Sequence, residues 1–157
     1  MKTQELILEQ TDKRIRKLAK ISEENPPQGW IYTIRKALGM SMRQLGKIAN
    51  ITPQGIKDME DREKNGNITI AAMEQLGKDM NMRFVYGYVP LEGSLQKKID
   101  KQALAMAKKI VSRTSNSMTL EDQKVSPAML KKSIKAKAQE IKQNKLKSLW
   151  EEDQNFS

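Results

Sequence analysis

At 157 residues, with 38% hydrophobic and 4% aromatic residues and a mean hydropathy of −0.70, the chain has room for one small domain with solvated extensions, which excludes a large multidomain enzyme. The absence of Cys and His removes disulfides, thiol nucleophiles, thiolate metal sites and the commonest general base, so the chain is read as a binding protein, not an enzyme, with no catalytic residue, metal or cofactor. A formal charge of +10, from 29 Lys and Arg against 19 Asp and Glu, points to a polyanionic partner, nucleic acid first.

The chain opens on Leu6, Ile7, Ile15, Leu18 and Ile21 at roughly helical spacing, which predicts an amphipathic helix over Thr3–Ser22 with Lys13, Arg14, Arg16 and Lys17 outward. Glu5 and Glu9 interrupt this start where a secretory signal needs an apolar core. No later run reaches the ~18 apolar residues of a membrane span, so a cytoplasmic protein without membrane contact is expected. Asn25-Pro26-Pro27 then ends the first element (1–25) with a hinge over 24–28.

From Trp30 to Met80 the pattern predicts four short helices: Trp30–Leu38, Met42–Ala49, Pro53–Glu60 and Ile70–Met80. Gly39 supplies a left-handed C-terminal position, Ser41 an N-cap, Asn50 a turn residue, and Thr52-Pro53 an N-cap followed by proline at the first helical position. Arg83–Val89 alternates aromatic and β-branched residues and predicts one strand closing a domain over 29–90. A lone strand leaves its ladder unmade, so Phe84, Val85, Tyr86, Gly87 and Tyr88 are expected to pair with another molecule. A second copy across a two-fold axis near Gly87 is favoured over a partner's sheet edge.

Beyond it, 91–157 reads as a basic helical extension with fourteen Lys and Arg against four Asp and Glu between Ser94 and Trp150. Leu95, Ile99, Ala103, Met106 and Ile110 mark one helix. Leu130, Ile134, Ala138, Ile141 and Leu149 mark a second, for which the sequence offers no obvious packing partner. Ser112–Thr119 is expected as a linker between them. Glu23-Glu24, Asp58 and Glu60-Asp61 read as solvated carboxylates.

The segment Ser41–Glu60 places apolar residues at Leu45, Ile48, Ala49, Ile51, Ile56 and Met59, with small Gly46 where two helices approach, and it resembles the helix-turn-helix of the phage-repressor (Xre, lambda/Cro-like) family. That family usually has Gln at the position of Met42, Ala at Gly46 and Gly at Asn50. The resemblance implies a mainly α, lambda-repressor-like bundle, here with one dimerising strand and amphipathic helical extensions. It implies that the second helix enters the major groove of double-stranded operator DNA. Thr52, Pro53, Gln54, Lys57 and Asp58 then face DNA, Gln54 suited to adenine, Asp58 to a cytosine amino group and Pro53 or the Thr52 methyl to a thymine methyl, with Gly55 leaving room for close approach. Ser41, Met42, Arg43 and Lys47 before it, and Arg62, Lys64 and Asn65 after it, are the expected phosphate-side contacts. Thr52 serves equally as a pure N-cap.

Gly29-Trp30-Ile31, Arg35–Met40, Ile68-Thr69, Arg83–Tyr86 with Val89-Pro90, and Ser117–Gln123 together resemble the mobile mystery protein A family over about 30–123. Its gene usually neighbours one for a Fic-domain protein, so the resemblance implies an autoregulatory, antitoxin-like repressor with a Fic-domain (adenylyltransferase) partner. Ser117 and Glu121 fit the spacing of the inhibitory helix of Fic antitoxins, Ser148–Glu152 fits it equally, and Thr119 with Asp122 fits a simple helix cap. The alternative from another class is an interaction scaffold whose basic C-terminal helices bind an acidic protein, RNA or a membrane surface.

Overall fold

The computed structural model describes residues 2–21, 24–120, 126–144 and 146–151, with backbone only at 117–120. It is mainly helical: α1 Lys2–Ala19, α2 Trp30–Ala37, α3 Met42–Ala49, α4 Pro53–Lys64, α5 Ile70–Asp79, α6 Leu95–Leu120 and α7 Pro127–Asn144, followed by a 3-10 turn at Leu146–Trp150. These elements divide into two compact units, one of residues 19–87 and one of residues 1–18 with 88–157. Among the described residues no helix is long and apolar enough to cross a membrane.

In the unit of residues 19–87, α2 to α5 surround a core of Ile31, Leu45, Ile56, Met59, Met73 and Leu76, with Met42, Ala49, Ile51, Ile68, Ala72, Met80 and Phe84 packed against it. The helices are too short to persist alone, since isolated helices under about 12 residues are marginal in water. Each of α3, α4 and α5 therefore starts on a hydroxyl cap, from Ser41, Thr52 and Thr69 to the backbone N–H three residues on. The α2 helix starts differently. Gly29 at φ 86° has no cap of its own, and the Glu63 carboxylate on α4 accepts from the N–H of Trp30 at 2.7 Å and of Ile31 at 2.8 Å. A Cβ at Gly29 would meet that carboxylate at 2.8 Å.

One turn earlier on α4, Glu60 lies in the core. Its carboxylate accepts from Arg35 Nε at 2.5 Å and Nη2 at 3.2 Å, while Arg35 Nη1 donates to the Met40 carbonyl at 3.0 Å. Both side chains are 6% exposed, so the expectation of a solvated Glu60 is corrected: the carboxylate is buried because a guanidinium from α2 meets it in bidentate geometry. The bond to Glu60 raises the Arg35 guanidinium above its ordinary value against the opposing effect of burial, and Arg35 stays cationic. The α4 helix also extends a turn beyond the expected Glu60, to Lys64, because Glu63 has this partner.

The strand expected over Arg83–Val89 is not formed among the described residues. A strand needs a ladder, and no backbone group of residues 83–89 bonds another backbone group among the described residues. The chain instead turns at Asn81 (φ 56°), the Met82 N–H donates to the Gly77 carbonyl at 2.7 Å, and Phe84 packs against the core.

In the other unit, α6, α7 and the 3-10 turn pack together through Ala103 and Ala107, Ala138 and Ile141, and Leu149 respectively, flanked by Ile99, Met106, Ile110, Ile134 and Leu146. Of the apolar stripes expected on these two helices, Ile99, Ala103, Met106 and Ile110 and Ile134, Ala138 and Ile141 lie on the packed faces, Leu149 packs from the 3-10 turn instead of the second helix, and α7 has the partner that was not evident from its sequence. Ser112–Thr119, expected as a linker, is helical. The Thr114 hydroxyl donates to the Ile110 carbonyl at 3.3 Å, which satisfies it inside a helix, and half-buried Val111 and Ser115 continue the covered side. The first amides of α6 are all bonded: Leu95 and Gln96 donate to the buried Asp12 carboxylate of α1 at 2.8 and 3.2 Å, and Lys97 donates to Ser94 Oγ at 3.1 Å. A carboxylate at a helix N-terminus is favoured by the aligned peptide dipoles, so Asp12 joins α1 to α6 across 83 residues of sequence.

Arg35→Met leaves Glu60 as an unpaired buried charge, and we expect a loss of about 3 to 5 kcal/mol. Adding Glu60→Leu should recover most of it, since an apolar pair of similar volume tolerates burial. Urea unfolding followed by Trp30 fluorescence in a Trp150→Phe background checks this, because it reports on residues 19–87 alone.

Candidate nucleic-acid interface

The α3 and α4 helices are joined by Asn50, Ile51 and Thr52, and each position in this short turn has a physical role. Asn50 takes the left-handed conformation (φ 55°), a region that Asn tolerates better than most residues, and the Ile51 N–H donates back to the Gly46 carbonyl at 2.8 Å. The Ile51 carbonyl lies against Gly46 so closely that an added Cβ would overlap it. The close neighbour at Gly46 is therefore the backbone of the turn at Ile51 and Thr52, where the sequence led us to expect the second helix itself. Gly55 has a different role from the one expected, because its Cβ would meet the Ile51 side chain and Thr52 Oγ1 instead of the outer face. Thr52 accepts from the Gly55 N–H at 3.0 Å, so the N-cap role is present and its oxygen is engaged.

Beyond the turn, α4 has two faces set by helical phase. Ile56, Met59 and Glu60 are buried and Glu63 half-buried, whereas Gln54, Lys57, Asp58 and Asp61, at i, i+3, i+4 and i+7, are exposed together. Pro53 is exposed at the first turn. On the outer face Gln54 Nε2 donates to Asp58 Oδ1 at 2.9 Å, and Lys57 Nζ pairs with Asp61 at 3.5 Å. Gln54 thereby keeps its carbonyl oxygen and one amide hydrogen for an outside partner. Asp61, part of this face, carries no motif signal and was identifiable only from the helical phase.

Of the expected phosphate-side residues, Ser41 is spent in a capping box, donating its N–H to Gln44 Oε1 at 2.8 Å and accepting from the Gln44 N–H at 3.1 Å. Met42 is half-buried against the core, so its thioether serves packing and does not stand on the outer surface. Arg43 and Lys47 on α3, and Arg62, Lys64 and the C-cap Asn65 on α4, are exposed, and the four cations have no ion-pair partner among the described residues. Phe84 and Tyr86 stack at 5.6 Å, with Val85, Tyr86, Gly87 and Tyr88 exposed. Ser117 lies on the α6 backbone, and Glu121 lies outside the described residues. Arg35, Glu60 and Glu63, which hold α4 from behind, escape motif reading because each looks like one more surface charge.

The chain matches no protein-family model, no curated protein and no solved structure.

Because Gly46 faces a backbone carbonyl, which cannot swing aside as a side chain can, Gly46→Ala should destabilise residues 19–87 by about 1 to 3 kcal/mol despite the better helix propensity of alanine. Urea midpoints of the two proteins measure it. Equal or higher stability of the alanine protein would show that the turn relaxes freely.

Proposed function

We propose that this chain is a sequence-specific DNA-binding repressor, dimeric and autoregulatory, in which α4 reads base edges in the major groove. The observation that carries the reading is the outer face of α4: Gln54, Lys57 and Asp58 stand exposed on a helix whose opposite side is pinned by Glu60 and Glu63. A readout helix needs that combination, since base contacts discriminate only when their rotation and register are held. Arg43 and Lys47 on α3 and Arg62 and Lys64 on α4 are exposed and have no ion-pair partner among the described residues, which suits them to phosphates. Asp58 holds the Gln54 amide in place while leaving it able to accept one bond and donate one, the pattern adenine requires. The resemblance to Fic-partner antitoxins adds an antitoxin-like role, neutralising a Fic-domain adenylyltransferase, and assigns Ser117 and Glu121 to it.

A second reading has its own support. Residues 1–18 and 88–157 hold nineteen Lys and Arg against eleven Asp and Glu, whereas 19–87 hold ten against eight, so most of the excess charge belongs to the unit that does not contain α4. An interaction scaffold that grips any polyanion through its C-terminal helices has this distribution. Salt separates the two: operator binding keeps a large preference over random duplex at physiological salt, and generic polyanion binding keeps none.

Gln54→Ala should weaken binding to a duplex selected from a random pool by about 1 to 3 kcal/mol while leaving random duplex unaffected. Lys47→Ala should weaken both equally and reduce the salt slope by about one. Fluorescence anisotropy titrations at several salt concentrations read both, and equal losses on both duplexes for Gln54→Ala would remove α4 from base readout. Co-purification with the product of a neighbouring Fic-domain gene tests the antitoxin role, and Glu121→Gly in that complex should release adenylylation without changing DNA binding.

A further inference from the structure

We infer that the outer face of α6 binds the phosphate backbone of duplex DNA without regard to sequence; the site stands on its own lysines, and only the choice of DNA over duplex RNA rests on the repressor reading. The face follows from how α6 packs. Ala103 and Ala107 are buried against α7 and the 3-10 turn, with Ile99, Met106 and Ile110 half-buried beside them. At about 100° per residue, Lys97, Lys98, Lys101, Lys108 and Lys109 fall within an arc of about 120° on the opposite side, and all five are exposed. The helix itself supplies one carboxylate, Asp100, which is half-buried and already engaged by Lys142 of α7 at 3.0 Å and by Gln96 Nε2 at 2.9 Å. Lys101 meets Glu92 at 3.9 Å, a long contact that contributes little.

The composition of the face selects the occupant. A helix lying on a membrane needs a broad apolar side toward the lipid, and α6 uses its apolar side against α7, which leaves Leu104, 38% exposed, beside the lysines. An acidic protein is gripped by aromatic residues and arginines buried at the centre of an interface, whereas this arc holds lysines with Ala105 and Ser112. A single strand needs aromatic platforms for its bases, and α6 has no aromatic residue. A duplex needs none of these. It presents about one phosphate per 1.7 Å of axis, hence about ten over the roughly 18 Å from Lys97 to Lys109, and compact, flexible ammonium groups meet that charge without reading a base. Duplex RNA is told apart through its 2′-hydroxyls, which both donate and accept, and ammonium groups only donate.

The test uses the full chain and the fluorescence anisotropy of a short DNA duplex of random sequence at several salt concentrations. Lys97→Gln, Lys101→Gln and Lys108→Gln together should flatten the salt slope by about 2.7, the share of three phosphate contacts, and weaken binding about tenfold or more near 0.1 M salt. The same three positions changed to Arg should keep both. Lys131→Gln, Lys132→Gln and Lys135→Gln on α7 remove equal charge and should change the slope by less than about one. Circular dichroism should show equal helicity throughout, since exposed Gln and Arg suit a helix. An unchanged slope for the α6 variant, an equal loss from α7, or the same loss with arginine in place would each overturn the proposal. So would tighter binding of duplex RNA, or a larger loss on polyglutamate or phosphatidylserine vesicles, which would assign the face to another partner. If the lysine effect appears while no duplex is preferred over another, the α6 site stands and the repressor reading alone falls.

Discussion

Two carboxylates one turn apart on α4 determine how residues 19–87 are built. Glu60 reaches into the core to Arg35, and Glu63 reaches the open N-terminus of α2, so a single helix both neutralises the buried guanidinium and supplies the cap that α2 lacks. An eight-residue helix with unbonded first amides would fray, and a buried Arg35 without a partner would not stay buried. The two bonds also fix α4 about its own axis. Residues 60 and 63 are 300° apart in helical phase, and with Ile56 and Met59 they define the inward side, which leaves Gln54, Lys57, Asp58 and Asp61 no orientation but outward. Interior chemistry therefore determines which side chains are available to a ligand.

The turn before α4 complements that constraint. Gly46, Asn50 and Gly55 are small or left-handed at the points where the two helices and the connecting backbone meet, and Ile51 fills the space between them. The Ile51 carbonyl occupies the volume an alanine at 46 would claim.

Much of this was legible in the sequence, for identifiable reasons. Ser41, Thr52-Pro53, Asn50 and Gly39 are local signals whose chemistry acts within a few residues, and the helix starts they predict at Met42 and Pro53 are the ones observed. The stripes on α6 and α7 were legible because burial repeats with the helical period. The long-range carboxylates were not. Asp12, Glu60 and Glu63 find partners 83, 25 and 32 residues away, and nothing periodic or local distinguishes a carboxylate that caps a distant helix from one in water. The stretch 112–119 misled because Ser, Thr and Asn favour loops on average, while a neighbouring helix and back-bonding hydroxyls override that preference. The 83–89 segment misled in the opposite sense: its side chains suit a strand, but strand formation depends on a second backbone that one chain does not provide.

The electrostatics of α4 place a condition on any nucleic-acid reading. Its outer face carries Lys57 against Asp58 and Asp61, so this face is slightly acidic where it would meet bases, and the exposed cations Arg43 and Lys47 belong to α3 and Arg62 and Lys64 to the end of α4. A carboxylate at the centre is tolerable in a groove only where a donor meets it, whether the Gln54 amide or an exocyclic amino group on a base, and is costly opposite an acceptor. Discrimination in such a site comes as much from penalising wrong sequences as from rewarding right ones. A uniformly basic helix would bind more tightly and select less. Were α4 to enter a groove, the pairing of Gln54 with Asp58 is the feature of this surface that would favour some base sequences over others.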